Sequence, residues 1–439
     1  MKRFLAICGA LALALSACSS SGGTPAPTNA AAPNASAAPN ASAAPNASAA
    51  TIAPITITML APEYSATTAT ADFWTALVKK FEAAYPTVTV NVSTVSWNDI
   101  TQKITTEVTT KQYPDIVNLN TFASYAADGL IYPADQIVDA KTLADIVPTF
   151  ANNSKYNGVQ YAVPDLASDR QMFYNKDIFT KAGIANPPTT WTELTADCQK
   201  IKAAVPADTY CFAVPLGHEE AQAEFTIWTG GNGGTLFANG KWTINAQANV
   251  DALKYVKTLV DAGYTQPNPA GTDRTSGAYA LFSQGKAAMV NASVSAVAWL
   301  QDNKSTVNYG VAPFVAADGK KPITLGVQDY FFAFKKTGNQ PAVQAFLSFL
   351  YQPANYADFL TAAGGFLPAT TSAASTVLQT NPWMKPFIDA LPNAIFYPND
   401  QAAWPAVQGA LQQTVGTAVQ GADPQKVLDA IQATAEAGG

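Results

Sequence analysis

The first fifty residues constrain the rest of the chain, because they cannot join a folded core. Lys2 and Arg3 lead an apolar stretch from Phe4 to Leu15, followed by the small residues Ser16 and Ala17. A cationic head, a short apolar segment and small residues before a cut make a secretory signal peptide of residues 1–17. The apolar segment is shorter than the ~20 residues that span a bilayer as a helix. From Ser19 to Ala50 there is no charge and no aromatic, and the unit Pro-Asn-Ala-Ser-Ala-Ala starts three times, at Pro33, Pro39 and Pro45. Such a composition buries too little apolar surface to offset chain entropy, so residues 18–53 read as a disordered linker. Folding is left to residues 54–439. That exceeds the roughly 300 residues at which single cores stop growing, and two lobes are expected.

Charged residues are 13% of the 439, and 25 Lys and Arg face 31 Asp and Glu, a net charge of −6. Neither a basic stripe for nucleic acid nor a polybasic membrane patch is present. The run Leu15-Ser16-Ala17-Cys18 resembles the bacterial lipobox, whose cysteine is lipid-modified and becomes the first residue of the mature chain. That resemblance implies an extracytoplasmic protein held at the cell membrane through lipidated Cys18 alone. An ordinary cleavage site with a chance cysteine is the other reading. Cys8 lies in the leader, so the body keeps Cys198 and Cys211. In an oxidising compartment they read as one disulfide, whose loop should stabilise by about 3 kcal/mol. Two buried free thiols are the alternative. The single histidine, His218, is expected at the surface, which argues against a metal site and most Ser-His or Cys-His nucleophiles. No cofactor is called for.

The body alternates strand and helix patterns. Ile55 to Met59 alternates apolar and polar, as a half-buried strand does. Ala71 to Tyr85 puts Phe73, Trp74, Leu77, Val78 and Phe81 at helical spacing. Thr87 to Val95 alternates again, and Asp115-Ile116-Val117 opens a third strand. This order predicts an α/β sheet with helices on both faces. Thr190-Trp191-Thr192-Glu193 is a capping box for a helix running to about Ala203. Val250 to Ala262 reads as a helix stopped by Gly263, and Pro341 as the first turn of another. Asp423-Pro424 starts a last helix with Val427, Leu428 and Ile431 on its apolar face.

Several segments together carry a family resemblance. They are Tyr161 to Pro164, Asp169-Arg170, Tyr174 to Phe179, Ala182-Gly183-Ile184 and Pro187 to Trp191. Ala280 to Met289, Gly364 to Pro368 and the helix around Trp404 follow in order. The chain resembles family 1 extracellular solute-binding proteins, the maltose-binding-protein-like lipoproteins that feed ABC sugar importers. The resemblance implies a periplasmic-binding-protein-like α/β fold, two lobes joined by a multi-crossing hinge. Lobe I would hold residues 54–165 plus 306–363, and lobe II 166–305 plus 364–439. Crossings are expected near 164–168, 303–310 and 363–367. A carbohydrate would be captured in the cleft by closure, unchanged, and passed to the importer's transmembrane subunits. The carrier would be a monomer without catalytic residues.

Ligands of open α/β sheets sit beyond the carboxyl ends of strands. Glu63 and Tyr64 follow the first strand and Asn120 and Thr121 the third, so these four are candidates. The resemblance adds Asp169 and Arg170 at the first crossing, Trp228 and Trp404 as stacking faces, and Phe366. Sugars call for flat aromatic faces and planar hydrogen-bonding groups. Trp228 and Trp404 could equally be core, and Asp169 and Arg170 could pair with each other. Trp74, Trp97, Trp191, Trp242, Trp299 and Trp383 are assigned to packing or surface. Two departures from the family pattern, Asn291-Ala292-Ser293 and Gly326-Val327-Gln328-Asp329, put Asn291, Gln328 and Asp329 at the cleft border and suggest an unusual cargo. Competing readings are a secreted carbohydrate-active enzyme with paired carboxylates, or the same carrier with a glycerol phosphoester or polyamine.

Overall fold

The computed structural model describes residues 52–65 and 67–438. The leader, Cys18 and nearly all of the linker lie outside them. Strand β1 (Ile55–Pro62) pairs in parallel with β2 (Val88–Val95) and β3 (Ile116–Leu119). Helix Ala69–Ala84 lies between β1 and β2 and buries Trp74, Leu77 and Phe81, the positions its periodicity marks. Its cap comes from an earlier residue: both Glu63 carboxylate oxygens accept from Thr70 and Ala71 N–H groups at 3.1 and 3.2 Å. A carboxylate there satisfies free amides and complements the helix dipole. Ile100 and Ile104, on helix Trp97–Thr109, cover the opposite face with Leu60, Val117 and Phe332. Both faces of this sheet are thus dry, and β3 is buried at all four positions.

The pivotal element is β4 (Val163–Asn175), buried at every position but one. Its second half pairs with β6 (Ala287–Ser293), which continues in parallel to β5 (Tyr210–Ala213), and also with β7 (Tyr309–Ala312). Its first half pairs antiparallel with β8 (Thr324–Ala333), which joins β3. The main path of this ten-stranded sheet runs β2-β1-β3-β8-β4-β6-β5. Asp169 faces Gly326 and Arg170 faces Ser293, so β4 changes partners between two adjacent residues. One strand therefore belongs to two lobes. Thr324 pins the fork: its hydroxyl accepts from Arg170 N–H at 3.0 Å and donates to Arg170 C=O at 2.6 Å.

The second lobe covers its sheet with helices Trp191–Ala204, Ala221–Gly231, Gln247–Asp261, Trp404–Thr414 and Pro424–Ala437. The Thr190–Glu193 capping box forms, Gly263 takes φ +67° beyond its helix, and Asp423 accepts from Lys426 N–H. Cys198 and Cys211 form a disulfide with Cα atoms 5.1 Å apart, tying helix Trp191–Ala204 to β5. His218 is exposed.

Two lobe boundaries differ from expectation. Residues 306–323 are expected in lobe I, yet β7 pairs with β4 at Met172 to Asn175, and Ala316 and Ala317 bond Trp191 and Gly231. The return crossing is β8 itself. Residues from 364 are expected in lobe II, yet Leu367-Pro368 pair with Ala167 and Leu166, and Ser372 bonds Asp145 in the first lobe. The last crossing follows helix Thr371–Thr380, and Phe387 then packs on Phe173. Strand partnership decides lobe membership, and local pattern does not encode it.

The Cys198–Cys211 bridge lies away from the lobe interface. Replacing both cysteines by Ser should lower unfolding free energy by about 3 kcal/mol, read from denaturant midpoints, with ligand affinity unchanged. An unchanged midpoint would show the bridge to be energetically idle.

Candidate functional site

Where β4 changes partners, the lobes flank an open cavity whose space, counting the solvent at its mouth, is about 1070 Å³. Five of the residues expected at the cleft line it: Tyr64, Asn120, Arg170, Asp329 and Phe366. Tyr64 reaches it from the end of β1, its phenol within 3.2 Å of Asn118 Oδ1 and 3.4 Å of Asp165 Oδ2. Trp97 and Phe366 pack edge-on to Tyr64, each with ring centroids 5.6 Å away. Across the cavity Tyr279 and Trp299 make a second edge-on pair at 5.7 Å. Each wall thus offers aromatic surface held in place by neighbouring rings.

The polar lining of the second-lobe side is a network of two arginines and two glutamates. Arg170 Nη2 pairs with Glu220 Oε1, and Arg274 reaches Glu219 at 3.0 Å and Glu220 at 2.9 Å. All four are mostly buried. Arg274 and the Thr275 amide hold the Glu219 carboxyl below its usual range despite the burial that opposes this. Both guanidinium groups therefore enter the cavity already matched by carboxylates. Gln222 and Gln408 also line it; both are buried, and Gln408 Oε1 has no hydrogen-bond partner. Buried acceptors without partners are costly in a closed protein and mark where a donor is to arrive.

The other expected site residues lie elsewhere. Glu63 caps its helix. Thr121 and Asn291 are buried outside the lining; Asn291 Nδ2 donates to Glu224 Oε2 at 2.8 Å. Gln328 is buried and accepts from Asn153 at 3.0 Å, while its neighbour Asp329 faces the cavity. Asp169 sits at the fork, accepting from Gln171 at 3.0 Å rather than pairing with Arg170. Trp228 and Trp404, expected as stacking faces, are 1% exposed and belong to the second-lobe core. Trp228 packs on Phe212, Phe314 and Trp191 and donates to Glu224 at 2.7 Å. Trp404 stacks on Tyr397 at 4.9 Å.

Trp97 and Trp299, expected in packing or at the surface, both pack on neighbouring rings and also line the cavity. Trp97 stands two residues past β2, and Trp299 lies in helix Ala296–Asp302 just after β6. Glu219, Glu220 and Gln222 follow β5. The carboxyl-end rule that points to Tyr64 and Asn120 reaches all of these once every strand is counted. Nothing in the sequence singles out Arg274.

Burial perturbs several carboxyl groups around the fork. Desolvation pushes Asp169, Glu224 and Asp329 each up to about 7, and raises Asp165 strongly as well. Asp329 lies beside Asp165, so like charge adds to the burial of Asp165. The fold retains the protons of Asp169, Glu224 and Asp329 between pH 4 and 7 while an unfolded chain would release them. Their stabilising effect is therefore full below about pH 4 and is lost as pH rises through 7.

An α/β molecule whose two lobes share strands over a cavity of aromatic and hydrogen-bonding groups has the architecture of a solute-binding protein. The comparisons agree. Residues 65–357 match the model of the family described as bacterial extracellular solute-binding protein. A binding protein of Brucella abortus (strain 2308) is 31% identical over 347 residues, 78% of this chain and 83% of the relative. The sn-glycerol-3-phosphate-binding periplasmic protein of Rhizobium meliloti (strain 1021) is 30% identical over 288 residues, 60% of this chain and 64% of the relative. Among solved structures, a sugar transporter from Arthrobacter chlorophenolicus A6 with bound laminaribiose superposes with a TM-score of 0.76 at 20% identity, covering 87% of this chain and 99% of that one. A solute-binding protein of an ABC transporter from Thermotoga lettingae TMO, bound with α-D-tagatose, gives 0.75 at 19%, with the same coverage. The chain belongs to the bacterial extracellular solute-binding protein family.

Glu224→Gln isolates one raised carboxyl. Gln keeps the acceptor for Trp228, and Asn291, whose Oδ1 has no partner, can turn that oxygen to the new amide. Wild-type stability should fall by about 2 kcal/mol more than the variant's between pH 5 and 7.5, measured as urea unfolding free energies. Parallel pH curves would show that Glu224 is charged in the fold throughout.

Proposed function

We propose that the protein captures a neutral sugar or oligosaccharide outside the cytoplasm and delivers it unchanged to the transmembrane subunits of an ABC importer. The observation that carries this reading is the lining: aromatic faces from both lobes and hydrogen-bonding side chains meet in one cavity. Tyr64, Trp97, Tyr279, Trp299 and Phe366 would meet the C–H faces of sugar rings, and Asn120, Arg170, Asp329, Gln222 and Gln408 their hydroxyls. A cargo touching both walls favours the closed arrangement, which the importer can sense. Lipidated Cys18 would hold a monomeric carrier at the membrane, with the linker as tether.

The Rhizobium meliloti relative raises a glycerol phosphoester as the other cargo. Charge argues against it here. The lining holds Arg170 and Arg274 against Glu219, Glu220, Asp302 and Asp329, and both arginines are engaged by glutamates. Their charge is already balanced by those glutamates, which reduces the attraction a phosphate would find there. A carrier needs no pair of free carboxylates, and Glu219 and Glu220 are each held by arginine.

Thermal-shift and calorimetric titration against mono- and oligosaccharides, with sn-glycerol 3-phosphate alongside, tests the cargo. Micromolar affinity for a saccharide, about −8 kcal/mol, with none for the phosphoester is expected. Preference for the phosphoester overturns the sugar reading, and release of shortened sugars identifies an enzyme. Trp299→Ala should weaken saccharide binding at least tenfold with little change in melting temperature. Trp228→Ala should instead cost about 3–5 kcal/mol of stability, as core tryptophan deletions do.

A further inference from the structure

We propose that Trp383 is an outer sugar platform at the rim of the cavity, so that the cargo is an oligosaccharide longer than the buried cleft holds. This rests on the sugar reading above and extends it to a residue the cavity does not include.

Among the described residues Trp383 and Val159 are the large hydrophobic side chains left exposed, and Trp383, at 38%, is the aromatic one. Its ring nevertheless has two neighbours that orient it. Nε1 donates to Asn381 Oδ1 at 3.2 Å, and Phe387 packs edge-on against it with centroids 6.5 Å apart. Phe387 is itself fully buried and packed on Phe173 of β4. An exposed indole would ordinarily sample several rotamers, and holding one costs entropy. A ring kept in place while open to solvent is already arranged for a flat partner, which lowers the ordering cost of binding.

Continuity with the cavity supplies the occupant. Gly364 and Phe366 line the cavity, and a β-carbon at Gly365 between them would stand 3.7 Å from Cε of Met384 and 4.0 Å from Cζ2 of the Trp383 indole. Gly364 and Gly365 take φ +93° and +75°, a left-handed turn suited to residues without a side chain. The strip from the cavity to Trp383 therefore carries no side chain for two residues. A glycan chain leaving the cavity over this turn meets the indole next. Its C–H face suits an aromatic face, and successive rings of one chain would stack first on Phe366 and then on Trp383.

The test titrates wild type, Trp383→Ala and Trp383→Phe with α-1,4- and β-1,3-linked gluco-oligosaccharides of one to five rings by calorimetry. In wild type, affinity should rise about tenfold on adding a third or fourth ring in the bound series. Trp383→Ala should abolish that rise and leave affinity for one and two rings unchanged, and Trp383→Phe should restore most of it. Equal affinities of wild type and Trp383→Ala for every length overturn the platform while leaving the sugar reading intact. Equal loss at all lengths also overturns it, showing Trp383 to support the cavity. Absence of any saccharide binding by wild type overturns both.

Discussion

The structure depends on one change of hydrogen-bonding partner. Between Asp169 and Arg170, strand β4 leaves β8 and takes up β6, and the lobes exist as separate layers because of it. A strand buried along nearly its whole length cannot leave ladder groups unpaired. The fork therefore needs a third group, and the Thr324 hydroxyl bonds both the N–H and the C=O of Arg170. Gly326 permits the same crowding on β8, since a β-carbon there would come within 2.4 Å of the Phe396 ring. The cavity opens beside this junction, so the backbone at the fork is the pivot about which its two walls face each other.

The fold was legible where local chemistry decides it. The helix over Trp74, Leu77 and Phe81, the Thr190 capping box and the Asp423 cap are short-range consequences of residue type, and each forms as read. The doubly covered α/β sheet follows from the order of such elements. Lobe boundaries were not legible, because whether β7 adds to one lobe or the other depends on which strand lies open beside it. Only the assembled sheet settles that.

The site was half legible. Tyr64 and Asn120 follow from their place after strands, and Arg170 and Phe366 from family likeness. Trp228 and Trp404 sit in family-like contexts, but here Phe212 and Phe314 close over one and Tyr397 over the other. A tryptophan gives the same letter whether its ring faces a sugar or a neighbouring ring. Arg274 was invisible because it acts through Glu219 and Glu220, some fifty residues earlier in the chain.

The grouping of those four charges has a mechanical corollary. Arg170, Arg274, Glu219 and Glu220 all stand on the second-lobe side of the fork, so rotation of one lobe against the other carries the quartet as a rigid tile. No ion pair is made or broken across the gap by them. Their field nevertheless reaches Asp329 on β8, whose carboxyl, raised first by burial, Glu220 pushes up and both arginines pull down, so the angle at which the molecule gapes is felt by the quartet through that one group.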